Sequence, residues 1–507
     1  MRVRGEQLHF AMSDAYSRFV PSDHFLRKVN AAFDFSFIDK MCESKYKSAK
    51  GGPGRRPEPP QRMFKLLLLM FLYQVKFERE LERRVNDSLA WRWFCGYGID
   101  EPVASHKTLW AFRKRLGPDL FDEIFAKLVS ECIERGLVKK TRWHVDATKQ
   151  DAAASTFSQW EVAVILTKAM MERLSSMQGV DHDVNGEPPA DMDDEMKALV
   201  AEAASKAAKL KKVNPARVLA KAEDRPCDPE SKEDRAQDKA NDAETIERLE
   251  SLAKELWSEH NHAKGDSDAR IGKTSTTKSF CGYLSTAVAD EERGIVLSYE
   301  TTPGNVDQAD TFMPAYDKAK RLCGNPGELA ADRAFDVRKI RESLDSDGVT
   351  GYIPMIKYHR NGNVLSSERF EVTQSGSGYS VRCPGGHAMR LIKTRKSGLM
   401  VYRGLCCAGC PLQSRCTTSK DGVRQFEFEP KLRRYQEKHW AQKKTEEYRR
   451  ALTRRMSTIE PIFGHGKTFH NLGKCIYRSL FMHRIQTSMS FFAINLEKLV
   501  RYAPEAA

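Results

Sequence analysis

The spacing of apolar residues changes near residue 141, and this change limits the folds open to the chain. Up to about residue 135 the apolar positions follow a helical period, as in the stretch MFKLLLLMFLYQV. From residue 141 the segment TRWHVDAT alternates, which predicts a β-strand with Asp146 at its end. A strand hairpin follows (FCGYLSTAVAD, DEER, GIVLSYETT), and then helix, strand, helix and strand. We therefore expect an all-helical region followed by a mixed α/β domain.

Two stretches of different composition interrupt this pattern. Residues 158–265 are rich in Ala, Glu, Asp and Lys and predict charged helices with loose linkers, whereas residues 366–428 are polar, short-stranded and rich in cysteine. The tail from Lys431 is basic and helical. Five units are predicted. They are a helical DNA-binding domain (1–138), an α/β core (139–157 with 266–365), a charged insertion (158–265), a cysteine-rich insertion (366–428) and C-terminal helices that complete the core (429–507).

The charge balance narrows the class of partner. A formal net charge of +14 and a pI near 9.1 favour a polyanion, either nucleic acid or an anionic membrane surface. The longest apolar run contains Lys65 and is too short to span a bilayer, and the N-terminus lacks a signal-peptide pattern. We therefore expect a cytosolic, nucleic-acid-binding protein whose twelve cysteines are reduced.

One basic amphipathic helix is predicted over Ser105–Gly117. Leu109, Phe112 and Leu116 share one face. Four cations occupy the remainder: Lys107, Arg113, Lys114 and Arg115. Such a helix is typical of DNA-binding proteins, and it is equally typical of a small helical bundle with a solvated basic face.

Five cysteines fall between residues 383 and 416. Cys407 and Cys410 form a Cys-x-x-Cys pair, and with Cys383 and Cys416 they offer four thiolates, enough for a closed structural zinc site. Cys406 and His387 are spare candidates. The alternatives are free thiols or a redox pair, and the latter lacks its βαβ context.

Three carboxylates stand where an isolated acid is unexpected. Asp146 ends a strand, Asp332 lies inside the apolar strand GELAADRAF, and Glu460 directly precedes Pro461 in a basic helix. A buried carboxylate needs a cation or a metal ion beside it. Two Asp and one Glu would suit a pair of Mg²⁺ ions that catalyse phosphoryl transfer on DNA.

Cationic side chains surround Glu460. Arg454, Arg455, His465 and Lys467 would contact the phosphate backbone of bound DNA. Each acid taken singly also fits a helix cap or a salt bridge, and Glu460 could simply pair with Arg454 or Arg455.

Together these blocks resemble a DDE (Asp-Asp-Glu) transposase of a bacterial insertion sequence with an InsH-type N-terminal domain. The stretch TLWAFR resembles that domain's signature, HVDATKQDAA the first catalytic block and AADRAFD the second. TIEPIFGHGK resembles the third block, with Lys467 seven positions after Glu460, and CAGCPLQSRCT resembles a cysteine segment of longer members. Two departures stand out. Ala334 and Phe335 replace a usual Gly-Tyr, and Met456 stands where related families carry an arginine, so Arg454 or Arg455 would substitute for it.

The resemblance implies an RNase H-like core with Asp146 on the first strand, Asp332 at the fourth, and Glu460 on a later helix. It implies two Mg²⁺ (or Mn²⁺) ions at this triad, terminal inverted repeats and target DNA as partners, a homodimer in the DNA complex, and a nucleoid-associated cytoplasmic location. Two rivals remain open. One is an RNase H-like nuclease without strand transfer, and the other is a non-enzymatic, zinc-containing DNA-binding regulator.

Overall fold

The structure is a computed structural model that describes residues 16, 18–46, 57–155, 165–170, 251–252, 256, 262–273, 279–355, 365–376, 378–396 and 398–502. Most of the predicted charged insertion, 158–265, lies outside the described residues. No helix in the described ranges is both long and apolar enough to cross a membrane.

The N-terminal region is helical, as predicted. Its helices are α1 (Phe25–Ala32), α2 (Phe37–Cys42), α3 (Pro60–Leu72), α4 (Glu78–Asp87), α5 (Leu89–Cys95) and α6 (His106–Glu134). Helix α3 contains the long apolar run, and its residues 63–72 are all buried. Lys65 fits there because its Nζ donates to Asn30 Oδ1 at 2.7 Å. A helix that is apolar all round belongs in a core, and α3 is the core of this bundle.

Helix α6 contains the predicted basic helix. It begins at Ser105, whose Oγ accepts the Thr108 N–H at 3.4 Å, and it bends at Gly117, where φ is +73°. Leu109, Phe112 and Leu116 are all buried, which confirms the predicted apolar face.

The α/β region contains one curled, seven-stranded mixed sheet. Its strands are β1 (Arg142–Asp151), β2 (His262–Ala263), β3 (Asp266–Lys273), β4 (Ser279–Asp290), β5 (Val296–Pro303), β6 (Glu328–Ala331) and β7 (Thr350–Tyr352). The sheet confirms the strands predicted from the alternating segments and adds two strands that were not predicted, β2 and β3. The prediction that Asp146 ends its strand was wrong, because pairing with β4 continues β1 to Asp151.

The strand order in this sheet is β2-β3-β4-β1-β6-β7, with β5 also paired to β4. Strand β4 is antiparallel to β1 and β5, whereas β1, β6 and β7 run parallel. Helices α7 (Gln308–Cys323) and α8 (Arg338–Ser346) provide the crossovers to β6 and β7.

Residues 365–428 form short strands with a small core of their own. They comprise β8 (Glu371–Ser375), β9 (Gly378–Arg382), β10 (Met389–Thr394), β11 (Met400–Gly404), α9 (Gln413–Cys416) and β12 (Gln425–Phe428). Phe370 stacks on Phe426 with ring centroids 4.4 Å apart, and Tyr402 and Phe428 complete this core. The domain boundaries drawn from composition stay a prediction.

Three C-terminal helices return to the earlier regions: α10 (Pro430–Lys443), α11 (Glu446–Phe469) and α12 (Leu480–Tyr502). Helix α12 is buried throughout 485–496 and packs against α6, α3 and β5. Asn495 fastens it to β5, because its amide both donates to and accepts from the Val296 backbone at 2.7 and 2.9 Å. Helix α11 lies against β1 and β6, and it continues through Pro461 instead of ending there.

Candidate active site

Two parallel strands bring the predicted aspartates together. Val145 on β1 is paired with Ala331 on β6, and Asp146 and Asp332 are the next residues of their chains. Strand β6 ends at Ala331, so the expectation that Asp332 lies inside a strand was wrong. Asp332 is half-buried instead, and its Oδ1 accepts the Arg333 N–H at 2.7 Å at the start of a short 3₁₀ turn. Two carboxylates therefore meet at one edge of the sheet.

The Asp146 carboxylate is held from two sides. Its Oδ1 accepts the Ala147 N–H at 2.8 Å, and its Oδ2 accepts from Arg455 Nη1 at 2.6 Å. Burial raises the pKa of Asp146, the nearby charge of Asp332 raises it too, and Arg455 acts against both. The two aspartates thus affect each other electrostatically, with Arg455 as the neutralising cation.

Helix α11 runs alongside β1. Arg455 lies over Asp146. Lys467 lies near Lys149 and Asp151 at the far end of the strand. The side chain of Lys467 is exposed, but partial burial of its amine and the Lys149 charge lower its pKa. Glu460 lies between these points, about 7.5 Å beyond Arg455 along the helix axis. Its side chain is exposed, and no hydrogen bond or ion pair holds it within the described part of the chain. Glu460 is therefore on the helix that covers the aspartates, and no hydrogen bond joins it to them.

The predicted phosphate contacts separate into two groups. Arg454 is exposed and lines a concavity with Arg449 and Arg450. Arg455 points the other way, is only 9% exposed and pairs with Asp146, so its predicted role as a backbone contact is at odds with its position. The sequence offered no signal for this ion pair, because 309 residues separate its members.

The cations of α6 divide in the same way. Lys107, Lys114 and Arg115 are exposed. Arg113 is 2% exposed, pairs with Glu78 of α4, and stacks 4.1 Å above the ring of Tyr477. The guanidinium of Arg113 is thus occupied in the interior, and this burial corrects its prediction as a DNA contact.

The cysteines of the second insertion surround one small cavity, which Cys383, Cys407, Cys410 and Cys416 line together with Cys406 and His387. The sulfurs of Cys383 and Cys410 each lie 3.7 Å from the point that a Cβ at Gly385 would occupy. Burial and the neighbouring thiols raise the pKa of Cys416. The thiols share a cavity, but no three of their sulfurs lie within 4.8 Å of one another among the described residues.

Comparison with known proteins identifies two segments. Residues 14–115 match the family described as Transposase domain (DUF772), and residues 382–500 match the Transposase DDE domain. The second match takes in the cysteine segment, Glu460 and Lys467, whereas Asp146 and Asp332 lie outside both matches. No curated protein and no solved structure matches the chain significantly. These two matches, which together cover less than half of the chain, support a DDE-type transposase of an insertion sequence.

Proposed function

We propose that the protein binds the ends of its own element, cuts DNA there and joins the new ends to a target, with Asp146, Asp332 and Glu460 as the catalytic carboxylates. The observation that carries this proposal is the pairing of β1 with β6, which sets Asp146 beside Asp332 under the helix that bears Glu460. The strand order β5-β4-β1-β6-β7, three antiparallel strands followed by two parallel ones, is the order of an RNase H-like core and supports the proposal.

The residues at this edge fit hard divalent cations. Asp146 and Asp332 supply carboxylate oxygens at close range, and an organic cation, Arg455, already neutralises one of them. We propose that Asp146, Asp332 and Glu460 would hold two Mg²⁺ ions, or Mn²⁺. Such ions, when bound, polarise the phosphate and lower the pKa of the attacking water or hydroxyl.

The chain's own groups then have distinct tasks. The Ala147 N–H and Arg455 orient Asp146 and favour its ionised form. Within the described ranges Glu460 has no hydrogen bond or ion pair to give up, so its side chain can turn toward the aspartates when DNA binds. Arg454 and Lys467 are exposed along the same helix and would contact the DNA backbone, as would Lys107, Lys114 and Arg115 on α6.

The proposed reaction comprises two displacements at phosphorus. A water oxygen first bonds to the phosphorus at the element end while the bond to O3′ breaks, which leaves a 3′-hydroxyl and a 5′-phosphate. That 3′-hydroxyl then bonds to a phosphorus of the target while the target's own O3′ leaves. In each step the nucleophile gives a proton to solvent and the leaving O3′ takes one up from solvent. Because two ends must reach one target, we propose that a homodimer carries out the second step.

The test uses the DNA that flanks the gene. Purified protein and Mg²⁺ are incubated with a plasmid carrying both flanks, and new 3′ ends and joined products are mapped. We expect 3′ ends at a flanking inverted repeat that become joined to new DNA. Cleavage without joining would support the nuclease, and metal-independent binding without cleavage would support the regulator.

The Arg455–Asp146 pair predicts the pH dependence of cleavage. Burial raises the pKa of Asp146 and Arg455 lowers it, so Arg455→Met should raise this pKa further. Because cleavage requires ionised Asp146, the acid limb of the pH–rate profile should move to higher pH in this variant. Arg454→Met removes a neighbouring exposed arginine and should leave that limb in place. If the acid limbs of Arg455→Met and the parent coincide, the limb reports the ionisation of a group other than Asp146.

We further propose that Cys383, Cys407, Cys410 and Cys416 hold a structural Zn²⁺, supported by their shared cavity. Chelation should then lower the thermal midpoint of the protein, and Co²⁺ should restore it with a thiolate-to-metal charge-transfer band. Cys410→Ser should lose this band, whereas Cys406→Ser should keep it. A protein that melts identically with and without chelator would refute the zinc site.

A further inference from the structure

Three potential metal ligands converge where α11 ends. His465 and His470 come from the end of α11, and Glu497 comes from α12. In the described part of the chain they are the one group of three whose ligand atoms all lie within 4.8 Å of one another. His465 Nε2 is 2.8 Å and His470 Nε2 is 3.2 Å from the same atom, Glu497 Oε2.

The surroundings of His470 fix its tautomer. Its Nδ1 lies 2.8 Å from the backbone oxygen of Phe71, at the end of α3. A carbonyl oxygen only accepts, so Nδ1 carries the hydrogen and donates it. If the ring carries only this hydrogen, the lone pair of Nε2 faces a carboxylate oxygen. Two acceptors 3.2 Å apart repel each other unless a proton or a metal ion lies between them.

The whole cluster points to a metal ion. A second imidazole nitrogen, that of His465, faces the same carboxylate oxygen, so two ring nitrogens and one carboxylate oxygen point to one place. A ring whose Nδ1–H donates to a backbone carbonyl is the usual outer arrangement of a metal-bound histidine. We propose that His465, His470 and Glu497 bind a divalent cation of the zinc class.

The distances agree with a small shift of one side chain. Two ligands about 2.0–2.1 Å from a tetrahedral Zn²⁺ lie roughly 3.3 Å apart. The His470–Glu497 separation already matches this spacing, and the 2.8 Å His465 separation would have to widen. His470 is fully buried and fixed, whereas the side chain of His465 is 44% exposed and free to move outward. The exposed side leaves room for water as a fourth ligand.

The ligand types separate this site from the proposed catalytic one. Two imidazoles and one carboxylate favour Zn²⁺, Co²⁺ or Ni²⁺, whereas carboxylates alone favour Mg²⁺. The ion would join α11 to α12 and, through the hydrogen bond from His470 to the Phe71 carbonyl, to α3. On α11, its ligand His465 lies five residues after Glu460. It would thus fix the end of the helix that carries Glu460. The site does not depend on the proposed reaction.

Cobalt binding to the full-length protein tests this site. The protein is stripped with chelator, reloaded with Co²⁺ and dialysed, and bound cobalt and the visible spectrum are measured. His465→Ala should lose one equivalent of cobalt and the weak band of a nitrogen- and oxygen-ligated ion. The thiolate charge-transfer band of the cysteine site should not change.

The matched control is His106→Ala. His106 is another partly exposed histidine 3.2 Å from a single carboxylate, that of Glu82, and the part of the chain that the structure describes adds no third ligand to this pair. This control should keep the parent's cobalt content and spectrum, and Glu497→Gln should reproduce the loss seen with His465→Ala. If His465→Ala, melting like the parent, binds as much cobalt with the same spectrum, the three residues form a metal-free imidazolium–carboxylate cluster and the proposal fails.

Discussion

Asp332→Asn should reduce DNA cleavage by at least about 1000-fold, which corresponds to about 4 kcal/mol of transition-state stabilisation. The substitution removes one negative oxygen from the edge where Asp146 and Asp332 meet, and with it a proposed metal ligand. The fold should persist, because the amide oxygen of asparagine can still accept the Arg333 N–H that Asp332 accepts now. DNA binding in the absence of metal should stay within about threefold of the parent, since Asp332 is not a phosphate contact. The measurements are single-turnover cleavage in Mg²⁺ and filter binding without it.

Asp307→Asn is the matched control for this substitution. Asp307 caps α7 through its Oδ1, which accepts the Ala309 N–H at 2.9 Å, and so has the same local role as Asp332 at a different place. Asparagine is an equally good cap, so this variant should cleave at the parent's rate. The cleavage rate of Glu460→Gln should fall as far as that of Asp332→Asn. Normal cleavage by either triad variant would remove that carboxylate from the catalytic set.

The elements that were predictable are those whose own sequence determines burial. The alternation in TRWHVDAT marks β1, and the apolar run around Lys65 becomes the core helix α3. Asp332 lies one residue beyond the end of β6, whereas the sequence pattern predicted it inside the strand. A strand end depends on the partner strand and not on the local pattern.

Contacts between distant segments left no local signal. Nothing near Arg455 in the sequence indicates that it faces Asp146 while Arg454 faces solvent. Likewise, His465 and His470 meet a glutamate 27 residues beyond His470 only because α12 packs against α11. Such pairs arise from tertiary packing, so a single sequence can suggest the candidate residues but not their partners.

Arg113 gives the clearest separation between a structural and a DNA-binding cation. Arg113→Ala should lower the free energy of unfolding by about 3 kcal/mol, because it leaves the Glu78 carboxylate without its cation and Tyr477 without the guanidinium stacked on its ring. The double substitution Arg113→Met with Glu78→Leu should recover most of this loss, since an apolar pair of similar volume can replace a buried ion pair. Urea denaturation of the parent and these two variants measures both effects.

The salt dependence of DNA binding then distinguishes the two roles. A lysine that contacts phosphate contributes about 0.9 to the slope of log affinity against log salt concentration. Lys114→Ala, on the exposed face of the same helix, should reduce the slope by about that amount and leave the denaturation midpoint unchanged. The Arg113→Met, Glu78→Leu protein should keep the parent's slope. A reduced slope in this double variant would mean that Arg113 leaves the interior to contact DNA. The prediction that Arg113 is a DNA contact would then be correct.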